Sequence, residues 1–345
     1  MKKIIFFTIS ALIGLALFVG VIWKVGLNQI LQTINYFSIS KWFVILLLSI
    51  TQFYITLYRW KIVLKSQGFD IPLIKLLASK LVGFSVDYMT PSPNVGGEAI
   101  RAYVLKRDTG IGFSHGLASV IIDKVMDFSY ALPFVLFGIF FVLIKFSLSW
   151  KIVASLLFVS FAFIFLILLF YYNTLRRKEF FGAIIRFLQL HRLSFIAKAM
   201  DKIAQFERII IDFFHRDKKT FYKGLYLSLL GGIIGISWIW LILFFLGLDV
   251  NFLQVLLIAT LTIITFLLPI PGSFGSTEAG VVIIFTMLGF RAEYAVAYTL
   301  IFRSVDLLKV GIGFLFLSHF GLRFGQTIIR GEGVKLPNKN EIKAN

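Results

Sequence analysis

Cysteine is absent from this 345-residue chain, which also has only four histidines and 17 acidic residues. Without cysteine the chain has neither disulfides nor thiol chemistry. The histidines lack the paired spacing of a metal site, and the sequence contains no phosphate-loop motif. These absences argue against thiol, zinc and ATP-hydrolysing enzymes, and we expect no cofactor and no bound metal.

Charged residues are also few, at 15% of the chain, against about a quarter in soluble domains. Hydrophobic residues make up 59%, and the mean hydropathy is +0.90. Apolar runs of about 20 residues, the length of a helix that crosses the bilayer, recur along the chain. The first run is expected to be an uncleaved signal anchor, because no cleavage site follows it. We predict an all-α polytopic membrane protein with six full spans, near residues 4–22, 42–60, 114–144, 151–172, 222–246 and 292–318.

The placement of the positive charges is more informative than the net charge of +18. Basic residues concentrate in alternate loops, at positions 2–3, 59–65, 106–107, 176–223 and 323–343. By the positive-inside rule these loops, and with them both termini, are expected on the cytoplasmic side of the cell membrane. A basic face suits the anionic inner leaflet, so no nucleic-acid partner is expected.

One long polar segment, about residues 174–221, separates two groups of spans, and the chain becomes polar again near its end. Within the segment, apolar residues recur at steps of three and four from Phe195 to Phe213. This pattern predicts an amphipathic helix that lies on the membrane, with a helix packed on neighbouring loops as the alternative. We assign residues 1–320 to a single transmembrane domain and residues 321–345 to a polar cytoplasmic tail.

Two similar motifs interrupt the apolar sequence: PSPNVGGEAIR at residues 91–101 and PIPGSFGSTEAG at residues 269–280. Each has Pro-x-Pro, then glycines, then Glu-Ala, and each is followed at nearly the same distance by a basic residue and an aspartate three positions later. The shared order predicts an internal duplication, with half-repeats at about 42–144 and 222–318. In the expected topology the halves are inverted, a construction that recurs in membrane transporters.

The proline and glycine breaks have a physical consequence in a bilayer. Proline ends a helix and glycine permits a tight reversal, while each backbone group exposed to lipid costs several kcal/mol. We therefore predict two re-entrant helical hairpins, at about residues 72–107 and 252–290, whose tips meet in one pocket. A helix is expected to begin after each tip, at Gly96–Glu98 and Ser276–Glu278. Its free amides would hold a phosphate oxygen.

Charged residues also lie in the middle of two predicted spans, at positions 123–127 and 303–309. A central charge costs about 2.5–3.5 kcal/mol on insertion scales, so these side chains must face one another or water. They lock the halves together, or they bind an anionic headgroup, and the two roles are compatible. In the second role, arginine and lysine receive the headgroup while carboxylates orient them. The candidate substrate-binding residues are Gly96, Gly97, Glu98, Arg101, Lys124, Asp127, Gly272, Ser273, Ser276, Glu278, Arg303 and Asp306.

These motifs resemble those of the lysylphosphatidylglycerol synthase transmembrane family, in its flippase-like domain. The resemblance covers about residues 5–320 and also rests on DKVMD at 123–127 and FRSVD at 302–306. It implies a bacterial or archaeal inner-membrane protein that moves lipids between leaflets. Fused relatives carry an aminoacyl-transferase domain that this sequence does not contain, so lysyl transfer is not expected. Lys124 stands where the family pattern has arginine, and lysine offers a phosphate a point charge in place of a fork.

The sequence thus predicts a non-enzymatic flippase for a phospholipid, aminoacyl-lipid or polyprenyl-linked glycolipid with an anionic or phosphate-bearing headgroup. Two other functions stay open: a membrane-embedded transferase with Glu98 or Asp123 as its base, and a non-catalytic subunit of an envelope glycolipid pathway. Charges divided between two inverted halves at mid-depth favour transport. The expected partners are membrane lipids; a homodimer and a separate lipid-modifying enzyme are compatible with the sequence.

Overall fold

The computed structural model describes residues 18–35, 37–90, 96–145, 150–193, 200–265 and 273–329, together with positions 16 and 197. Within these ranges the regular structure is entirely helical, which confirms the all-α class. Residues 18–25, at the end of the first predicted span, are helical, and a short 3-10 helix covers Leu190–Arg192. The remaining α-helices are α1 (Leu27–Asn35), α2 (Ile39–Ser66), α3 (Leu73–Met89), α4 (Gly97–Thr109), α5 (Phe113–Lys145), α6 (Trp150–Leu175), α7 (Phe181–Phe187), α8 (Met200–Arg216), α9 (Lys218–Phe245), α10 (Phe252–Thr265), α11 (Ser276–Met287) and α12 (Ala292–Ile329).

Five long helices, α2, α5, α6, α9 and α12, coincide with five of the predicted spans. Helices α2 and α9 have 28 residues each and are apolar enough to cross a membrane by length and composition. Much of their apolar surface is exposed; Ile50 of α2 and Phe244 of α9 are 65% and 64% exposed. A helix with apolar side chains on its outer face needs an apolar surrounding, as a bilayer provides. The two helices pack against each other along their length.

Two pairs of shorter helices occupy the regions of the proline and glycine breaks. Helices α3 and α4 have 17 and 13 residues, and α10 and α11 have 14 and 12. Each is shorter than the about 20 residues that cross the bilayer. Gly96 precedes the first turn of α4 with a φ of 136°, a backbone conformation that residues other than glycine rarely adopt. The segments that join the helices of each pair, 91–95 and 266–272, lie outside the described residues.

The candidate site is positioned by the close packing of α3 against α4 and α12. A Cβ atom added at Gly97 would overlap the Gly83 carbonyl oxygen, so only glycine permits this approach of α4 to α3. A Cβ atom at Gly313 would likewise overlap the Ser85 hydroxyl and the Leu81 carbonyl group. Helix α3 is therefore held between α4 and α12.

The amphipathic segment forms α8, whose apolar face is buried in the protein. Phe206, Ile210 and Phe213 pack with Phe170 of α6 and Met126 of α5. The helix therefore packs on the protein, as in the second predicted arrangement, but its partners are the long helices α5 and α6 in place of loops. The early part of the periodic stretch, at 194–196 and 198–199, lies outside the described residues.

The segment before α8 is tied to it by one carboxylate. Glu207, which is 2% exposed, accepts hydrogen bonds from the amides of Phe180 and Phe181 at 2.5 Å and from Gly182 at 3.0 Å. These amides lie at the start of α7, where the first N–H groups of a helix have no partner within it. A side chain from another helix therefore caps α7.

Candidate functional site

The backbone amides at the start of α4 donate hydrogen bonds to carboxylates of the protein itself. Glu98 accepts the Gly96 amide at 3.1 Å through Oε2 and pairs with Lys124 through Oε1. Asp87 of α3 accepts the Gly97 amide at 2.7 Å. The sequence suggested that these amides would be open to a phosphate oxygen. In the structure they are bonded to the protein's own acids, because a helix start attracts the nearest negative charge.

A buried ion-pair network links α2, α4, α5 and α9. Arg59 donates from Nε to Asp123 at 2.7 Å and from both Nη atoms to the Asp127 carboxylate, with Nη2 at 2.7 Å from Oδ2. It also donates to the Ser228 hydroxyl at 2.6 Å. Arg101 donates from Nη2 to the second oxygen of Asp123 at 3.0 Å. Asp123 thus lies between two guanidinium groups, and these charges pair across helices.

The network forms one side of a cavity of about 260 Å³ between α2, α3, α4 and α5. Charged side chains that line it include Lys80, Asp87 and Arg101. The Arg101 guanidinium carbon lies over the Trp60 ring, 3.6 Å from its centroid, and the Arg101 Nε is buried with no hydrogen-bond partner among the described residues. An arginine with an unused N–H donor in a buried polar cavity can bind an anion there by donating a hydrogen bond to it.

A second ion pair holds the start of α11 against α12. Glu278 is fully buried and pairs with Arg303, with Oε2 at 3.0 Å from Nη2, and it also accepts the Gly275 amide at 2.7 Å. Arg303 donates further to the Ser273 carbonyl at 2.7 Å and to the Tyr88 hydroxyl at 3.0 Å. Its guanidinium is therefore largely committed to the protein.

The remaining candidates near the second break are placed as follows. Ser276 donates from its hydroxyl to the Ser273 carbonyl at 3.0 Å, so it helps to shape the turn before α11. Asp306 pairs with Lys309 at 3.0 Å, and both line a cavity of about 340 Å³ with Tyr298. Gly272 lies outside the described residues.

The ends of the two breaks are in contact. The Tyr88 ring, near the end of α3, meets the Phe274 ring edge to face at 5.9 Å between centroids, and the Arg303 guanidinium lies 4.2 Å from the Phe274 centroid. Of the described candidates, Glu98, Arg101, Lys124 and Asp127 line one cavity and Asp306 lines another. The segments that join the helices of each pair lie outside the described residues, so the single pocket expected from the sequence stays a prediction.

The cation of each basic-x-x-Asp repeat pairs with the glutamate of the preceding break. Lys124 pairs with Glu98, 26 positions earlier, and Arg303 pairs with Glu278, 25 positions earlier. The carboxylates that follow in each motif bind other partners, as described above. The equivalent glutamate of each break thus binds the equivalent cation of the following span.

Two cations of the site were not among the candidates from the sequence. Arg59 was assigned to a basic cytoplasmic stretch at 59–65, whereas the structure places it inside α2 and fully buried. In the sequence Arg59 stands at the end of an apolar run. Many loop arginines stand in such a position, so the position did not identify Arg59 as a site residue. Lys80 lies in α3 and has no counterpart in the Pro-Gly motifs. Arg59 and Lys80 are recognised as site residues only by the charged side chains around them, and these come from other helices.

Comparison with known proteins gives a consistent set of matches. The family described as lysylphosphatidylglycerol synthase TM region matches residues 8–313. A UPF0104 membrane protein of Pyrococcus horikoshii is 24% identical over 309 residues, which are 86% of this chain and 91% of the relative. A UPF0104 membrane protein of Methanocaldococcus jannaschii is 25% identical over 330 residues, 87% and 90% of the two chains. No solved structure matches the chain.

Proposed function

Because this match spans residues 8–313, the chain belongs to the lysylphosphatidylglycerol synthase TM region family of membrane proteins, and from that premise we propose that it moves lipids between the leaflets of the cell membrane. The proposed substrate carries an anionic or phosphate-bearing headgroup, as in a phospholipid, an aminoacyl-lipid or a polyprenyl-linked glycolipid. Both termini lie in the cytoplasm in this proposal, and the chain is not an enzyme.

The observation that carries the proposal is the position of Arg101. Its guanidinium faces a charged cavity among helices whose outer surfaces are apolar; among the described residues Nη2 donates to Asp123, while the buried Nε has no partner. Charged groups at such depth are costly, which makes a functional role the default explanation. A headgroup phosphate would supply the acceptors that Arg101 lacks.

The arrangement of the two breaks supports transport between two sides. Each break consists of a pair of short helices, and the pairs Glu98–Lys124 and Glu278–Arg303 follow the same order in the sequence. An internal duplication with inverted halves explains both features, and transporters of this construction hold their substrate near the bilayer midplane. In this proposal Arg101 and Lys124 lie at the headgroup, and Arg303 holds the second break in place.

The same geometry argues against the transferase alternative. A general base needs a free carboxylate oxygen within reach of the substrate proton. Both oxygens of Asp123 bind guanidinium groups, and both oxygens of Glu98 are bonded, to Lys124 and to the Gly96 amide. These partners favour a structural role for the two acids and so support transport over the transferase alternative.

Lipid movement in proteoliposomes tests the proposal. The full-length protein is reconstituted with fluorescent phosphatidylglycerol, and transfer between leaflets is followed by quenching from outside. We expect Arg101→Gln to slow transfer about tenfold or more, and Arg101→Lys to retain part of the rate, because lysine keeps the charge without the fork. Lys106→Gln is the matched control, since Lys106 is exposed on the same helix. Wild-type rates equal to those of protein-free vesicles would refute the proposal.

A further inference from the structure

We infer that Lys80 binds the phosphate of the transported lipid at the boundary between the charged cavity and an apolar groove, and that the groove holds one hydrocarbon chain of the same lipid. The inference rests on the proposed function and adds to it the way in which one lipid is held. It assigns residues of α2, α3 and α12 that lie outside the sequence motifs.

Lys80 forms no ion pair with a carboxylate of the described residues. Its ammonium donates to the Thr56 hydroxyl at 2.5 Å and lies 5.2 Å from the centroid of the Phe53 ring. Three donors on the ammonium thus have one acceptor among these residues. Because an ammonium away from bulk water is costly unless it is paired, an anion that entered the cavity would gain a partner in Lys80.

The cavity also contains a donor of Arg101 that has no partner among the described residues. Lys80 and Arg101 line the same cavity of about 260 Å³. The buried Nε of Arg101 has no partner among the described residues, while the Asp123 carboxylate beside it is saturated by two guanidinium groups. A phosphodiester between Lys80 and Arg101 would accept from both. Its two charged oxygens match one ammonium and one guanidinium edge.

The groove lies next to the turn of α3 that carries Lys80. It has a volume of about 580 Å³ between α2, α3 and α12. This volume is within the range of about 300–1,000 Å³ found for ligand sites. Its mainly apolar lining suits a hydrocarbon chain, whereas an extended peptide would leave backbone amides unpaired there. The lining includes Leu77, Leu81, Leu308 and Ile312, together with Ser49 and Lys309.

The boundary between the two spaces is formed by neighbouring turns of two helices. On α2, Phe53 lines the groove and Thr56, three residues later, lines the cavity. On α3, Leu77 and Leu81 line the groove and flank Lys80, which lines the cavity. A lipid has the same order of parts, with a charged phosphate next to an apolar chain. This continuity is what selects a lipid chain as the occupant of the groove.

The test separates the two ends of the ligand. Native mass spectrometry of the full-length protein in detergent measures binding of three probes: phosphatidylglycerol, glycerol phosphate, which has the phosphate without chains, and diacylglycerol, which has the chains without the phosphate. The variants are Lys80→Gln, Lys80→Arg and Leu308→Trp. The controls are Lys75→Gln, an exposed lysine of the same helix, and Leu307→Trp, whose side chain is 48% exposed but does not line the groove.

We expect Lys80→Gln and Leu308→Trp each to weaken phosphatidylglycerol binding about tenfold or more, because one removes the cation and the other fills the groove. Glycerol phosphate should respond to Lys80→Gln alone, and diacylglycerol to Leu308→Trp alone. Lys80→Arg and both controls should bind like the wild type. Equal thermal stability of the variants shows that a loss of binding is local.

Two outcomes would overturn the inference: unchanged phosphatidylglycerol binding in either Lys80→Gln or Leu308→Trp, or a response of glycerol phosphate to Leu308→Trp. The transfer assay in proteoliposomes distinguishes this failure from a failure of the proposed function. If the wild type transfers lipid and both variants do so at the same rate, the inference is wrong and transport stands. If the wild type binds lipid as expected but transfers none, the site stands and transport is wrong.

Discussion

Arg59 donates from Nε to Oδ1 of Asp123 across 2.7 Å, and the two side chains are 0% and 3% exposed. The pair joins α2 to α5 in a region where water is largely excluded. Breaking a buried ion pair on one side leaves an uncompensated charge, which is more destabilising than replacing the whole pair. This relationship gives the first prediction.

Arg59→Met should lower the free energy of unfolding by about 1–3 kcal/mol, because Asp127 loses its guanidinium partner and Asp123 keeps only Arg101. Thermal unfolding of the detergent-solubilised protein measures the loss. Lys65→Met on the same helix is the control: its ion pair with Asp70 is exposed and should contribute about 0–1 kcal/mol. Similar melting temperatures for the two variants would contradict the buried network.

The second prediction separates the roles of Arg303 and Arg101. Arg303→Gln leaves the fully buried Glu278 without its cation and should lower the melting temperature, whereas Arg101→Gln should mainly slow lipid transfer, because Arg59 still neutralises Asp123. Neutralising both partners, in Glu278→Gln with Arg303→Gln, should recover much of the stability. The double variant then decides the role of Arg303. Recovered transfer would assign it to locking the helices, and recovered stability without transfer would place it at the headgroup.

Two glycines on α12 should respond to alanine with opposite signs. At Gly313 the new methyl group would overlap Ser85 and the Leu81 carbonyl group of α3, whereas no described atom lies within 4 Å of a Cβ at Gly311. Gly313→Ala should therefore destabilise by about 1–3 kcal/mol. Gly311→Ala should be stabilising by about 0.5–1 kcal/mol, because alanine favours the helix. Thermal unfolding checks both, and equal effects would mean that α3 and α12 are not in close contact.

The fourth prediction concerns topology and uses the absence of native cysteine. Lys65 and Arg177 should label from the cytoplasmic side as single cysteines, and Asn28 and Asp249 from the outside, because basic loops are retained inside. All four positions are exposed in the structure. Membrane-impermeant maleimide on intact cells gives the measurement. Labelling of Lys65 and Asp249 from the same side would exclude the inverted arrangement of the halves.

Much of the fold could be predicted from local features of the sequence. Apolar runs of sufficient length defined the long helices α2, α5, α6, α9 and α12, because the bilayer sets a minimum length for any crossing helix. The Pro-Gly motifs marked where α3 ends and where α4 and α11 begin, since a missing amide and a flexible backbone act within a few residues. The repeated order of Glu, cation and Asp indicated the residues that would carry charge within the helices.

Only the tertiary structure decided which charges meet. The sequence allowed Arg303 to pair with Asp306 three residues away, whereas the structure pairs it with Glu278 on another helix. Arg59 and Lys80 became part of the site for the same reason, since their surroundings come from helices distant in sequence. The sequence also left open whether the apolar face of α8 contacts lipid or protein, because the same stripe of apolar residues suits both surroundings. Periodicity reports what lies on one helix, while ion pairing and burial depend on distances between helices, which packing alone sets.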